Sequence, residues 1–160
     1  MIEWLTYLLT GGVAGIVSAF IFALFKVGPG KKEFSFGKAV LVALLITWGG
    51  PFAYVEVATK IKKQEFTPIV KEYFQSNDCP LEGSLKYFKV LYASKEVAIV
   101  YLVANEPQDW GGSDSPLMRL KLNKTNTALT KKVGGWEVVK SEVLRSDRLQ
   151  KDSIVWPPYQ

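Results

Sequence analysis

The hydrophobic positions of this chain form two long uninterrupted runs near its start, and shorter periodic runs after them. The first run, Trp4 to Phe25, holds no charged residue. A helix of this length spans roughly 33 Å, about the thickness of the hydrocarbon core of a bilayer. A cleaved signal peptide is the competing interpretation, but the run is too long for one and only Glu3 carries charge before it. The pattern therefore predicts a retained transmembrane helix.

The second apolar run extends from Ala39 to Ala58 and is interrupted by polar or helix-breaking residues only near its middle and end. Pro51, with two glycines before it, predicts a kink. Glu56 lies where a carboxylate can reach the membrane interface. It either extends toward the lipid headgroups or contacts a partner at membrane depth. Together the runs predict a transmembrane helical hairpin over residues 1–63, with helices at about 4–25 and 39–58.

Small residues recur at every fourth position of the first predicted helix, namely Gly11, Gly15, Ala19 and Ala23. The second predicted helix has a weaker series of Ala39, Ala43 and Thr47. Small side chains on one face allow another backbone to approach closely. The two helices either pack on each other through these faces, or the glycine-containing face docks on a different membrane protein.

Residues 64–160 have the periodicities of a soluble α+β domain. An amphipathic helix is predicted over 65–75, with Thr67 and Pro68 as its start signal. Four strands are then predicted, at residues 85–93, 97–104, 117–123 and 136–144. This order predicts one helix packed on a four-stranded antiparallel sheet. The arrangement resembles cystatin-like and NTF2-like rolls at the level of fold, and such a resemblance carries no function.

Charge and composition narrow the function further. The chain has 20 basic and 15 acidic residues, and the two signs are mixed along residues 60–160. A nucleic-acid partner is not expected, because such surfaces cluster their lysines and arginines. There is no histidine, and Cys79 is the only cysteine. Histidine-based catalysis, histidine metal ligation and an internal disulfide are thereby excluded. We expect no enzyme activity and no cofactor.

Lysines flank the second apolar run on both sides, so the positive-inside rule gives a tie. Four precede it, at positions 26, 31, 32 and 38, and four follow it, at positions 60, 62, 63 and 71. The first run breaks the tie, because Glu3 precedes it and three lysines follow its C-terminal end, and this favours the connecting loop in the cytoplasm. The soluble domain is then expected on the non-cytoplasmic side.

Two segments of the soluble part hold candidate partner contacts. Trp110 lies in a loop, Asn105–Pro116, that is rich in turn-forming residues. It acts either as an interface anchor or as a lid over its own core. Trp156 and Tyr159 lie in an aromatic, proline-rich chain end that packs on its own sheet or inserts into a partner. Asp109 and Asp114 do not match a calcium loop, and residues 28–32 do not match a phosphate-binding loop.

These patterns predict a non-catalytic accessory subunit or assembly factor of a larger membrane complex of respiratory, photosynthetic or secretory type. Its partners would be other integral membrane subunits and the lipid bilayer. The alternative is a membrane-tethered domain that holds a small ligand between helix and sheet. An apolar cavity in the domain would favour the ligand, and a filled core with exposed Trp110 or Trp156 would favour the protein partner.

Overall fold

A computed structural model describes residues 2–26, 35–108, 112–125 and 135–159. Two helices precede an antiparallel sheet of six strands. The helices are α1 (Ile2–Lys26) and α2 (Phe36–Phe74). The strands are β1 (Ser84–Ala93), β2 (Val97–Pro107), β3 (Ser113–Asp114), β4 (Leu117–Lys124), β5 (Trp136–Ser146) and β6 (Lys151–Asp152).

Both helices are long and apolar enough, by length and composition, to cross a membrane. Most large apolar side chains of α1 are exposed, and so are those of α2 before Ala58. Exposed apolar surface of this extent is what a lipid or protein environment would cover. The prediction that the two long apolar runs form long helices is confirmed.

The second helix continues for 39 residues, through both Pro51 and Pro68. The prediction of a separate helix over residues 65–75, started by Thr67 and Pro68, is therefore wrong. Each proline removes one helical hydrogen-bond donor, but a proline inside a long helix does not have to end it. The helix continues because its uninterrupted periodicity buries Phe66, Ile69 and Val70 against the sheet, and this burial stabilises the helical conformation.

The sheet runs in the order β1-β2-β4-β5-β6, and β3 pairs with the end of β2. The predicted count of four strands is wrong. The four long strands lie where the sequence placed them, and β3 and β6 add two residues each. Two residues are too few for any period to show, so pairing with a neighbouring strand is what defines these elements.

The second half of α2 packs on one face of this sheet. Buried side chains from the helix and from four strands form a single core, with Phe66 and Trp136 in ring contact at 5.2 Å between centroids. The Trp136 indole donates a hydrogen bond of 2.9 Å to Glu65. Large apolar side chains thus fill the space between helix and sheet in the part of the chain that the structure describes.

The chain divides into two compact units, and α2 contributes to both. The first unit comprises Met1–Ala53 together with Val155–Tyr159, and the second comprises Tyr54–Ile154. The helical unit therefore contains the end of the chain as well as its beginning.

Candidate functional site

The series of small residues in α1 lies against the first half of α2. Gly11, Gly15 and Ala19 are buried, and Ala23 is half-buried. A Cβ atom added at Gly15 would lie 2.8 Å from a methyl carbon of Leu44 and 3.3 Å from its Cα atom. The predicted packing face of α1 is therefore occupied by a helix of the same chain.

Polar contacts join the two helices near Gly11. The Thr47 hydroxyl donates to the Gly11 carbonyl oxygen at 3.0 Å, and it also lies 3.0 Å from the carbonyl of Ala43. The Trp48 indole donates to the Leu8 carbonyl at 3.1 Å. These bonds join side chains of α2 to backbone of α1, and they need the short separation that glycine at position 11 permits.

Five aromatic side chains of the helical unit form a cluster that we call the aromatic cluster; its members are Trp4, Tyr7, Phe52, Trp156 and Tyr159. Tyr7 and Trp156 lie 4.4 Å apart between ring centroids, and Phe52 and Tyr159 lie 5.5 Å apart. Trp4 stacks on Phe52, and the Tyr7 hydroxyl donates to the carbonyl of Trp48. The cluster joins the start of α1, the middle of α2 and the chain end.

The two tryptophans of the aromatic cluster remain substantially exposed. Trp4 is 39% and Trp156 43% exposed, whereas Tyr7 and Tyr159 are buried. The chain end was expected to pack on the sheet or to insert into a partner. It instead packs on the helices of its own unit and keeps one face of Trp156 outside. The three-residue spacing of Trp4 and Tyr7 was visible in the sequence, but their pairing with residues 155–159 was not.

Glu56 forms an ion pair with Lys89 of β1. One turn later on α2, the Thr59 hydroxyl accepts a hydrogen bond of 2.8 Å from the backbone N–H of Val90. β1 is an edge strand, so this N–H faces away from β2. The carboxylate proposed as a partner contact is thus engaged within the chain, and Lys89 is a residue that sequence reasoning missed.

A groove of about 700 Å³ lies between the second half of α2 and β1, and we call it the basic groove. Its charged lining consists of Lys60, Lys63, Lys71, Lys86, Lys89 and Glu56. Its apolar lining includes Val57 and Leu85. Burial raises the pKa of the Tyr87 hydroxyl in the same lining, and the charge of Glu56 raises it further, so Tyr87 is neutral.

Two segments named from the sequence fall outside the described residues. They are the tip of the Asn105–Pro116 loop, including Asp109 and Trp110, and the connection that includes residues 28–32. Asp114 lies within the described part, and its carboxylate accepts hydrogen bonds from the backbone of Ser115 and Asp147. Its oxygens therefore support the chain's own turns.

Glu106 and Cys79 lie in surroundings that suit a structural role and not a catalytic one. Glu106 is buried, accepts a 2.6 Å hydrogen bond from the Glu82 backbone and lies 3.5 Å from Arg148. Burial raises the pKa of the Cys79 thiol, which keeps it protonated and a poor nucleophile. Among the described residues, no three histidine, cysteine, aspartate or glutamate side chains lie close enough to hold a metal ion.

No protein-family model, no curated protein and no solved structure matches this chain. The resemblance to cystatin-like and NTF2-like rolls stays a prediction from the order of helix and strands.

Proposed function

We propose that this chain is a non-catalytic accessory subunit or assembly factor of a larger membrane protein complex. In this proposal both α1 and the first half of α2 cross the bilayer, and the sheet unit lies on the non-cytoplasmic side. Respiratory, photosynthetic and secretory complexes are the types of assembly that such a small subunit would serve.

The exposed face of the aromatic cluster carries this proposal. Tryptophan is enriched among the residues that dominate binding energy at protein interfaces. Trp4 and Trp156 are held in place by the rings of Phe52 and Tyr7, so their orientation requires little additional ordering when a partner binds. A fixed aromatic surface at one end of two apolar helices suits contact with another membrane subunit.

The filled interior of the sheet unit supports a protein partner over a ligand enclosed between helix and sheet. Phe66, Val100, Leu102 and Leu120 are fully buried between α2 and the sheet. The absence of histidine from the whole sequence removes the commonest acid–base and metal-binding side chain. Both observations favour a role in assembly.

The test compares the full-length chain with its Trp156→Ala variant after extraction from native membranes in a mild detergent. We expect the unmodified chain to migrate in a larger assembly and Trp156→Ala to shift toward the free chain. Loss of a central tryptophan weakens an interface by about 2 kcal/mol or more. Circular dichroism of the purified variant should show that its fold is retained.

Tyr92→Ala is the matched control, because Tyr92 is 47% exposed and lies on β1, outside the aromatic cluster. It should leave the assembly unchanged. The proposal is contradicted if the unmodified chain migrates alone, or if Trp156→Ala leaves the assembly intact while lowering the melting temperature of the free chain. The second result would assign Trp156 to internal packing only.

A further inference from the structure

The helical side of the basic groove carries three lysines on one face of α2. These lysines are Lys60, Lys63 and Lys71. The second and third come 3 and 11 residues after the first, close to one and three whole helical turns, so all three lie on one side of α2. Lys86 and Lys89 of β1 also line the groove, where the Lys86 ammonium donates to the Ser115 hydroxyl and the Lys89 ammonium pairs with Glu56. The sequence shows the three lysines of α2 only as residues that follow the second apolar run, and the fold adds Lys86 and Lys89 to them.

The charges within the groove do not balance. Within the described part of the chain, Glu56 is the one acidic residue of the groove lining, and it is paired with Lys89. Among the described residues, no carboxylate lies within ion-pair distance of Lys60, Lys63 or Lys71. Several like charges along one concave surface raise its positive potential and attract an anion.

The groove begins at the end of the apolar run of α2. Lys60 follows Ala58 by two residues, a rise of about 3 Å, whereas Lys71 follows it by about 20 Å. The headgroup layer on each side of a bilayer is roughly 5–8 Å thick. Lys60 and Lys63 therefore lie at headgroup depth if α2 crosses the bilayer, and Lys71 lies beyond it.

We propose that the membrane-proximal end of the basic groove binds the phosphate of an anionic phospholipid through Lys60 and Lys63. The exposed side chain of Val57 lies one turn before Lys60 and contacts the glycerol and acyl region of the same lipid. Glu56 and Lys89 form an ion pair in the lining of the same groove, and the carboxylate of Glu56 lowers the net positive charge there. The inference rests on α2 crossing the membrane, as the proposed function requires.

The test measures retention of phosphatidylglycerol by the full-length protein in detergent micelles, read by native mass spectrometry. We expect phosphatidylglycerol to be retained in preference to phosphatidylcholine. The double variant Lys60→Gln with Lys63→Gln should weaken its binding about tenfold, because each lysine near an anionic lipid contributes favourably. The corresponding double arginine variant should retain binding.

Two control double variants distinguish a specific lipid site from general electrostatic attraction between a positive protein and an anionic lipid. Lys71→Gln with Lys86→Gln removes the same charge from the far end of the groove, and Lys121→Gln with Lys140→Gln removes it from paired positions on β4 and β5. Both should leave retention nearly unchanged. Equal weakening by all three pairs would overturn the proposal, as would equal retention of phosphatidylcholine.

Soluble glycerol phosphate distinguishes a lipid from a free phosphate compound. It should fail to displace phosphatidylglycerol, because it lacks the acyl chains. Displacement at comparable concentration, with Lys71 and Lys86 as important as Lys60 and Lys63, would assign the groove to a soluble phosphate and overturn the lipid site.

Glu56→Gln should change lipid retention in the direction opposite to the lysine variants. It removes the negative charge of the one acidic side chain among the described lining residues, so the groove becomes more positive and retention of phosphatidylglycerol should increase several-fold. Unchanged or weaker retention would contradict the proposed role of the pair. An alkaline carbonate wash of membranes tests the premise separately, because release of the chain would contradict the anchor and not the lysine chemistry.

Discussion

At the scale of single residues, the absence of side chains decides how α1 meets α2. Gly15 is buried where a Cβ atom would come within 3.3 Å of the Leu44 backbone. At Gly11 the added atom would collide with the indole of Trp48. Gly12, the neighbour of Gly11, has only an ordinary contact at 3.7 Å from Trp48. Neighbouring glycines of one helix therefore differ sharply in the space that they leave.

Gly15→Leu should separate the two helices, because an isobutyl group has no room beside the backbone of Leu44. Overpacking of this kind costs about 1–3 kcal/mol, so the melting temperature of the full-length chain in detergent should fall by about 5 °C. The measurement is thermal unfolding followed by circular dichroism. Gly12→Leu is the control and should change the melting temperature little. Equal effects of both variants would show that the contact at Gly15 is not specific.

At the scale of elements, α2 protects the open edge of the sheet. β1 ends the strand order, so alternate N–H groups of this strand have no neighbouring strand to bond. The Thr59 hydroxyl accepts one of them, from Val90, and both residues are buried. A side chain of the helix thereby replaces one strand contact and fixes β1 along α2.

Thr59→Val keeps the shape of the side chain and removes the acceptor. The buried N–H of Val90 then has no partner at this position, which costs about 1–3 kcal/mol. Hydrogen exchange of the Val90 amide should become faster, and the melting temperature should fall. Thr59→Ser retains the hydroxyl and should preserve slow exchange. Slow exchange in the valine variant would mean that another group accepts this bond.

Helix α2 and the short strands β3 and β6 show where short-range sequence signals do not predict the secondary structure that forms. The pair Thr67–Pro68 has the chemistry of a helix start, yet α2 passes through it. Local sequence describes what a segment favours by itself, and burial of Phe66, Ile69 and Val70 decides the outcome. β3 and β6 show the reverse case, because their pairing partners define them and their own two residues carry no period.

At the scale of the whole molecule, two membrane-spanning helices would place the sheet unit on one definite side of the membrane. The lysines on both sides of the second apolar run are equal in number, so the orientation depends on the first run, which has Glu3 before it and three lysines soon after it. Our proposal places the sheet unit on the non-cytoplasmic side. One introduced cysteine in each region is enough to test this orientation, because Cys79 is the only native cysteine that has to be removed.

In a Cys79→Ser background, Lys95→Cys places a thiol in the exposed turn between β1 and β2. A membrane-impermeant maleimide should label it on intact cells. Lys31→Cys, in the connection between the helices, should be labelled only after the membrane is opened. Labelling of position 31 alone on intact cells would reverse the orientation. Labelling of both positions would contradict the two-span anchor.

The sequence by itself determined the features that depend on neighbours along the chain. Long apolar runs predicted the two long helices. Aromatic and branched residues between turn signals, with clean alternation over residues 117–123, predicted the four long strands, since these signals are local properties of the chain. The series from Gly11 to Ala23 marked a packing face without naming what packs there.

Only the tertiary structure decided which distant residues meet. It placed the small-residue face against α2, brought Trp156 to Tyr7, paired Glu56 with Lys89 and added two lysines of β1 to those of α2. Such contacts depend on burial and on sheet pairing, which join segments far apart in sequence. No periodicity along one segment can specify its partner, and for that reason the basic groove became visible only in the fold.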